Sequence, residues 1–426
     1  MALPAGPPPS MAAKDDAGRE KAAVWLGFTA LALCYLDRLN MTLLLPTMAR
    51  DLQWDTNAQA GVLNAFFGGY LLTQVVGGHL ANRQGGAWVL ARAVVLWSAA
   101  TAAVAVVADL GVASVVACRF ALGIAEGVTF PAAFALLAEH VPEAQRTKAA
   151  ATMLLGAHVG TIVGTVAVPA SARAMGWHLS FVAMGLLGAV WLVVQRGWTA
   201  ALPAPSGNSR GARVHGGGVP WKRLVAAPAL IGIACAHVGN NFSFYLVFSW
   251  LPSFFVDELN VPADRLDVTL FPYVAQALAI VASGHIAEWL TQRRRWSVAR
   301  MRRTMTVVAS VGAAAALQAM ARSTTPVPGI AASSLFLMLR AQSTVGYNIN
   351  HLDIASPELV GACQAVTNTV ATLGGLVGVP FVAFVKERGG GWPHIAAACA
   401  LVDLTGCCTW LALARFDIHL VEGGDM

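Results

Sequence analysis

Four ionisable side chains sit in stretches otherwise fit for lipid, and their types suggest what they could do. In "VVACRFALGIAEGVTF", residues 115–130, Arg119 and Glu126 lie about two helical turns apart and project from one face. Arg38 occupies "LDRLN", and Arg340 stands alone in a later apolar run. A guanidinium stays protonated and offers forked donors that match a carboxylate or phosphate, so arginines at depth point to anion binding. Burial pulls Glu126 toward its neutral form while a nearby arginine pulls it toward its charged form, so it can exchange a proton. The bland alternative is a static pair between Arg119 and Glu126 that holds helices together. His237, Asn240 and Asn241, in "HVGNN", form a polar patch fit for ligand contact or for hydrogen bonds between helices. Arg340 and Arg92 have no partner evident in the sequence and read as structural or snorkelling groups.

Other chemistries are missing. There is no phosphate-binding Gly/Lys loop, no His/Glu pair at zinc spacing and no Gly-x-Ser-x-Gly elbow, so neither an enzyme nor a cofactor or metal is expected. Seven cysteines lie in or beside apolar runs without metal-ligand spacing and read as packing residues.

The elements that must hold these groups follow from composition. The chain has 426 residues, of which 57% are hydrophobic and 12% charged. Apolar runs of roughly twenty residues recur along it, each able to span a bilayer as a helix. The expected fold is all-α integral membrane, with about twelve transmembrane helices in two six-helix, pseudo-symmetric halves. The boundaries fall at about 24–197 and 225–414, with tails at 1–23 and 415–426 and a Gly/Pro/Ser-rich, basic linker at 198–224. "GHLAN" at 78–82 recurs as "GHIAE" at 284–288, at the end of the second span of each half. Halves related in this way would hold a substrate between them near the midplane, as transporters do. Counted from the cytoplasmic ends of their spans, Arg119, Arg38 and Asn240 lie at roughly 25, 21 and 22 Å and Glu126 at roughly 15 Å. Gly123 and Gly127 beside them would allow close helix approach while leaving space around the polar groups.

The net charge of +6 reads as topology and not as nucleic-acid binding, because placing both termini in the cytoplasm puts most Lys and Arg on the inner side. The basic run at 291–303 then reads as a solvated loop facing lipid headgroups. The first 23 residues lack the basic-then-apolar order of a secretory signal and carry Asp15, Asp16 and Glu20, so no targeting segment is expected there.

With those residues in view, the chain resembles the major facilitator superfamily and, within it, the anion:cation symporter family, its plant and algal phosphate-transporting branch in particular. The resemblance rests on "LDRLNMTLLLPTMARDLQW", "AFFGGYLLTQVVGGHLANRQGG", "RFALGIAEGVTFPA", "VPWKRL", "SWLPSFF" and "NINHLDIASPELVG", in that order. It implies a rocker-switch carrier of phosphate or a related anion, driven by H⁺ or Na⁺ in an organelle or plasma membrane and working as a monomer. Arg38 and Arg119 match substrate-binding arginines and Glu126 a proton-coupling glutamate. Gly78, Asn82 and Arg83 match the gating loop between the second and third spans, with Asn82 in place of the usual aspartate. Asn240 and Leu63 stand where glutamate carriers have an arginine and a histidine, which argues against glutamate. An organic-anion or nucleotide carrier of a vesicle or organelle is the second reading; a non-transporting anion sensor is the third.

Overall fold

The computed structural model describes residues 11–199, 221–355 and 357–416. The linker at 200–220 and the tails at 1–10 and 417–426 lie outside them. The apolar runs are helical, and no strand occurs among the described residues. The first half comprises α1 (Met11–Asp51), α2 (Thr56–Gln84), α3 (Gly86–Val107), α4 (Val112–Glu126), α5 (Thr129–His140) and α6 (Glu143–Thr199). After α7 (Trp221–Ala226) come α8 (Pro228–Asp257), α9 (Leu270–Glu288), α10 (Val298–Val307), α11 (Ala313–Ala321) and α12 (Pro326–Arg340). The series ends with α13 (His351–Ile354), α14 (Pro357–Glu387) and α15 (Trp392–Leu413).

These helices make twelve crossings, but not as twelve clean rods. α6 crosses twice, folding back at Gly176, whose φ of 79° is a left-handed conformation that suits glycine. The fourth crossing is α4 plus α5, broken immediately after Glu126. The ninth is α10 plus α11 joined by a π turn, and the tenth is regular only as far as Arg340 before it breaks into 3-10 turns. For the fourth, ninth and tenth crossings the sequence suggested one uninterrupted run, because apolar periodicity persists across a break that preserves burial; it already divided α6 into spans at about 149–171 and 178–197. Among the described residues, nine segments are apolar and long enough to span on their own, one of them the doubled Ala149–Trp198. α12 has only 15 residues of regular helix.

In the first half α1 lies along α6, α2 packs on α4, and α3 packs on both α4 and α6. In the second, α8 packs on α14 and α15, and α12 on α9 and α11. The halves meet through α2 with α14, α1 with α8, and α6 with α9 and the turn before it. Asn57 bonds Glu387 and Arg173 bonds the Asp264 carbonyl at the end opposite the termini. Midway, Gln74 donates to Thr372 at 3.4 Å, and Gly375 lies against Phe67. On that same face of α14, Asn368, Gln364 and Gly361 are exposed. The halves therefore close at one end and part toward the end that carries the termini.

The contact of α2 with α4 fixes the neighbourhood of the charges. A Cβ on Gly123 would overlap the Phe66 carbonyl, and one on Gly69 would overlap that of Phe120. The glycines do not leave space around the polar groups, as the sequence suggested. They admit the backbone of α2, which brings Phe66 and Tyr70 against the buried guanidiniums. Gly123→Leu should part α2 from α4 and cost about 1–3 kcal/mol or more, as overpacking does. A melting curve in detergent reads the loss, and an unchanged midpoint would contradict this packing.

Candidate functional site

Glu126 is fully buried at the last position of α4, and Arg38 from the middle of α1 reaches it. Arg38 Nη2 donates to Glu126 Oε2 at 2.8 Å and Nε to the same oxygen at 3.2 Å. Cys34, one turn away on α1, donates its thiol to that oxygen at 3.2 Å, so this cysteine is more than a packing residue. Three rings surround the Arg38 guanidinium, with centroids 4.7 Å (Tyr35), 4.4 Å (Phe66) and 5.3 Å (Tyr70) away. Such rings attract a cation where water is excluded and restrict it to one orientation.

The pairing differs from the expected one. Two helical turns set Arg119 about 10 Å along the axis from Glu126, whereas α1 carries Arg38 to the level of Glu126. Arg119 is buried with its Cζ 5.3 Å from the Phe66 centroid, and its Nε lacks a hydrogen-bond partner. Among the described residues it makes no ion pair. Asp37 turns away from its neighbour Arg38, as adjacent helical positions must, and accepts a bond of 2.8 Å from Thr101 on α3. Asp37 Oδ1 and Glu126 Oε1 have no partner. The cluster thus holds a partnerless guanidinium nitrogen and two partnerless carboxylate oxygens.

The second half has its own cluster. Arg340, at the end of α12, makes a two-pronged pair with Asp403 on α15, at 2.9 and 2.5 Å. Ser243 on α8 donates to Asp403 at 2.8 Å and accepts from Arg340 at 2.6 Å. Arg340 Nη1 also reaches Asn240 Oδ1 at 3.3 Å. Sequence reasoning left Arg340 without a partner and overlooked Asp403. The available signal was that each is an isolated charge in an apolar span, and such charges seek one another. The position expected to lack an arginine on α8 therefore receives one from α12.

Asn240 donates to Asn241 at 3.3 Å. His237 lies one turn below, with its ring 5.8 Å from Tyr347 and its Nδ1 without a partner, so it joins neither cluster by a hydrogen bond. Rings join the first cluster to the second half: Phe66 contacts Phe67 at 5.2 Å, and Phe67 contacts Tyr245 across the halves at 4.9 Å. Gly78, Asn82 and Arg83, expected in a loop, lie on the last turns of α2, and the chain turns at Gly85 with φ 85°. Arg83 is exposed; the side-chain surroundings of positions 78 and 82 lie outside the described residues. Arg92, exposed on α3, lies over the Trp88 ring at 3.1 Å.

Part of the basic run at 291–303 is also not the solvated loop expected of it. Arg302 lies on α10 and pairs with Asp353 at 2.5 and 2.9 Å. Asn350 bonds Asp353 at 2.9 Å and accepts from Trp410 at 3.2 Å. The "NINHLDIA" motif thereby ties the terminal ends of α10, α14 and α15 together.

The sequence profile of the Major Facilitator Superfamily matches residues 27–379, which take in every charge of the first cluster. The chain belongs to this superfamily of membrane transporters. Its relatives include an "Ascorbate transporter, chloroplastic" of Arabidopsis thaliana, 27% identical over 91% of this chain and 73% of that protein. A "Sodium-dependent phosphate transport protein 1, chloroplastic" of the same plant is 28% identical over 91% and 77%. A voltage-gated purine nucleotide uniporter of Homo sapiens is 28% identical over 96% and 97%. Relatives named as anion, phosphate and nucleotide transporters agree with the branch that the motifs resemble. In fold, the chain is similar to a bacterial homologue of the human lysosomal transporter Spinster, solved inward-facing and occupied, with TM-score 0.75 and 15% identity over 92% of this chain and 96% of that one.

Within this transporter the Arg340–Asp403 pair is a buried clamp among α8, α12 and α15. Arg340→Met or Asp403→Leu alone should cost about 3–5 kcal/mol by stranding a charge, and the double variant much less. Thermal unfolding of the three variants measures this. Additive losses would mean that the pair does not act as a unit.

Proposed function

We propose that the protein carries a small anion, inorganic phosphate or a related one, by secondary active transport coupled to H⁺ or Na⁺. In this reading two bundles, 24–197 and 225–414, rock about a site between them. The observation that carries it is the pairing of Arg38 with Glu126 beside Arg119, whose Nε is unsatisfied. While Glu126 is ionised it occupies the guanidinium that an anion would need. Once Glu126 takes a proton, Arg38 is released and the cluster gains one positive charge, which favours anion entry in a low-dielectric site. Loss of the proton restores the pair and expels the anion. Proton and anion thus travel together, with Arg38 and Arg119 as ligands and Glu126 as the coupling group.

Asn240, Asn241 and His237 would complete the site from the second half. Gly78, Asn82 and Arg83, at the end of α2, would form the gate at the terminal side. An organelle membrane, with both chain ends on its cytoplasmic or stromal face, fits the plastid location named for the plant relatives. One chain is sufficient for this cycle, and lipid headgroups would meet its basic ends.

Radiolabelled phosphate uptake into proteoliposomes, with pH and Na⁺ gradients imposed separately, tests the proposal. Wild type should accumulate phosphate under an imposed gradient, and Arg119→Ala should lose at least ten-fold of the uptake while remaining folded. Glu126→Gln should still exchange phosphate but no longer concentrate it when ΔpH is the driving force. Normal uptake by Arg119→Ala would overturn the anion site. Accumulation by Glu126→Gln under ΔpH would move the coupling proton elsewhere.

A further inference from the structure

We propose that Cys34 is a positioning residue for proton coupling: its thiol keeps Glu126 aligned while Arg38 leaves the carboxyl for the anion. This rests on the reading above, in which Glu126 carries the proton, and adds to it a residue that the motifs did not single out. Cys34 is fully buried on α1, one turn before Arg38, and its thiol donates to Glu126 Oε2 at 3.2 Å. Arg38 Nη2 lies 3.7 Å from its sulfur, so the thiol touches both members of the pair.

The two oxygens of Glu126 are unequal. Oε2 receives Arg38 Nε at 3.2 Å, Arg38 Nη2 at 2.8 Å and the thiol, whereas Oε1 is buried without a partner. An incoming proton therefore binds Oε1, forming one O–H bond and removing the charge. The bonds from Arg38 are charge-assisted and weaken with that charge, while the thiol is a neutral donor and loses less. Arg38 can then turn to the anion, and Oε2 still has a donor. Without the thiol, release of Arg38 would leave Oε2 a buried acceptor with no partner, the costly state for a polar atom.

Packing alone would make a different demand of this position. A buried cysteine often serves as a small apolar side chain, and then its shape matters and its S–H does not. This thiol lies instead between a guanidinium and a carboxylate. Among the described residues, Tyr35 and Asp37 on α1, Tyr70 on α2, Arg119 on α4 and Tyr245 on α8 are the other charged or titratable groups around the pair. α3 carries Arg92, which is exposed, and α5 carries Glu139 and His140 at its far end. α6 carries His158, on the wall of a cavity formed with α1, α5, α8 and α9. None of these groups changes when Cys34 is substituted, so a shift in proton dependence among its variants reports on the thiol.

The test is phosphate exchange by proteoliposomes of the full-length protein at a series of pH values, equal inside and out. It compares wild type with Cys34→Val, which fills the space without a donor, Cys34→Ala, Cys34→Ser and Glu126→Gln. Losing a donor to the ionised carboxylate makes protonation easier, so exchange by Cys34→Val should persist to higher pH, its midpoint moving up by about half a unit or more. Its KM for phosphate should rise about three-fold or more, because the state with Arg38 released loses its donor to Oε2. Cys34→Ala should shift in the same directions, and Cys34→Ser, which restores a donor, should return both values toward wild type. A wild-type pH profile and KM in both Cys34→Val and Cys34→Ala would overturn the proposal. So would a normal Cys34→Val beside an impaired Cys34→Ser, the pattern of a packing residue. Glu126→Gln separates the two readings. A wild-type pH profile in that variant overturns coupling through Glu126, and the role of Cys34 with it. Exchange by Glu126→Gln that no longer varies with pH, beside unshifted Cys34 variants, overturns the positioning role alone.

Discussion

A fully buried carboxylate bonded to a buried arginine from another helix is the constraint around which the first half is built. In a low-dielectric interior neither charge is tolerable alone, and their attraction offsets desolvation only when the geometry is good. Arg38 and Glu126 meet at 2.8 Å because α4 ends at that carboxylate and α1 passes beside it. The glycine contact between α4 and α2 then brings Phe66 and Tyr70 against the guanidinium. A pair held in this way is the element that the proposed coupling of proton to anion would use.

The second half repeats the theme with a different emphasis. Arg340 also lies where a crossing helix loses its regularity, but its carboxylate partner holds both terminal nitrogens, with Ser243 bonded to both residues. The first cluster retains partnerless atoms on Arg119, Asp37 and Glu126; in the second, only Arg340 Nε is partnerless among the Arg340, Asp403 and Ser243 side chains. In the proposed cycle, that asymmetry would equip one half to exchange ligands and leave the other to hold its shape.

The sequence by itself determined a great deal. Apolar runs of spanning length, a repeat at half-chain spacing and motifs in order were sufficient for the fold, because a bilayer permits few ways to satisfy a backbone. It also singled out Arg38, Arg119 and Glu126 as candidates, since a charge in an apolar span is conspicuous in one dimension. Partnership was decided only by tertiary structure. Glu126 pairs with a residue 88 positions away instead of with its helix neighbour, and Arg340 finds Asp403 across 63 positions. Helix breaks after Glu126 and Arg340, and a cavity assembled from five helices, were equally invisible in the sequence. Hydropathy records how far a residue lies from water, and periodicity records which face it occupies. The depth and rotation at which two helices meet depend on the packing of side chains remote in sequence, and these set which charges touch.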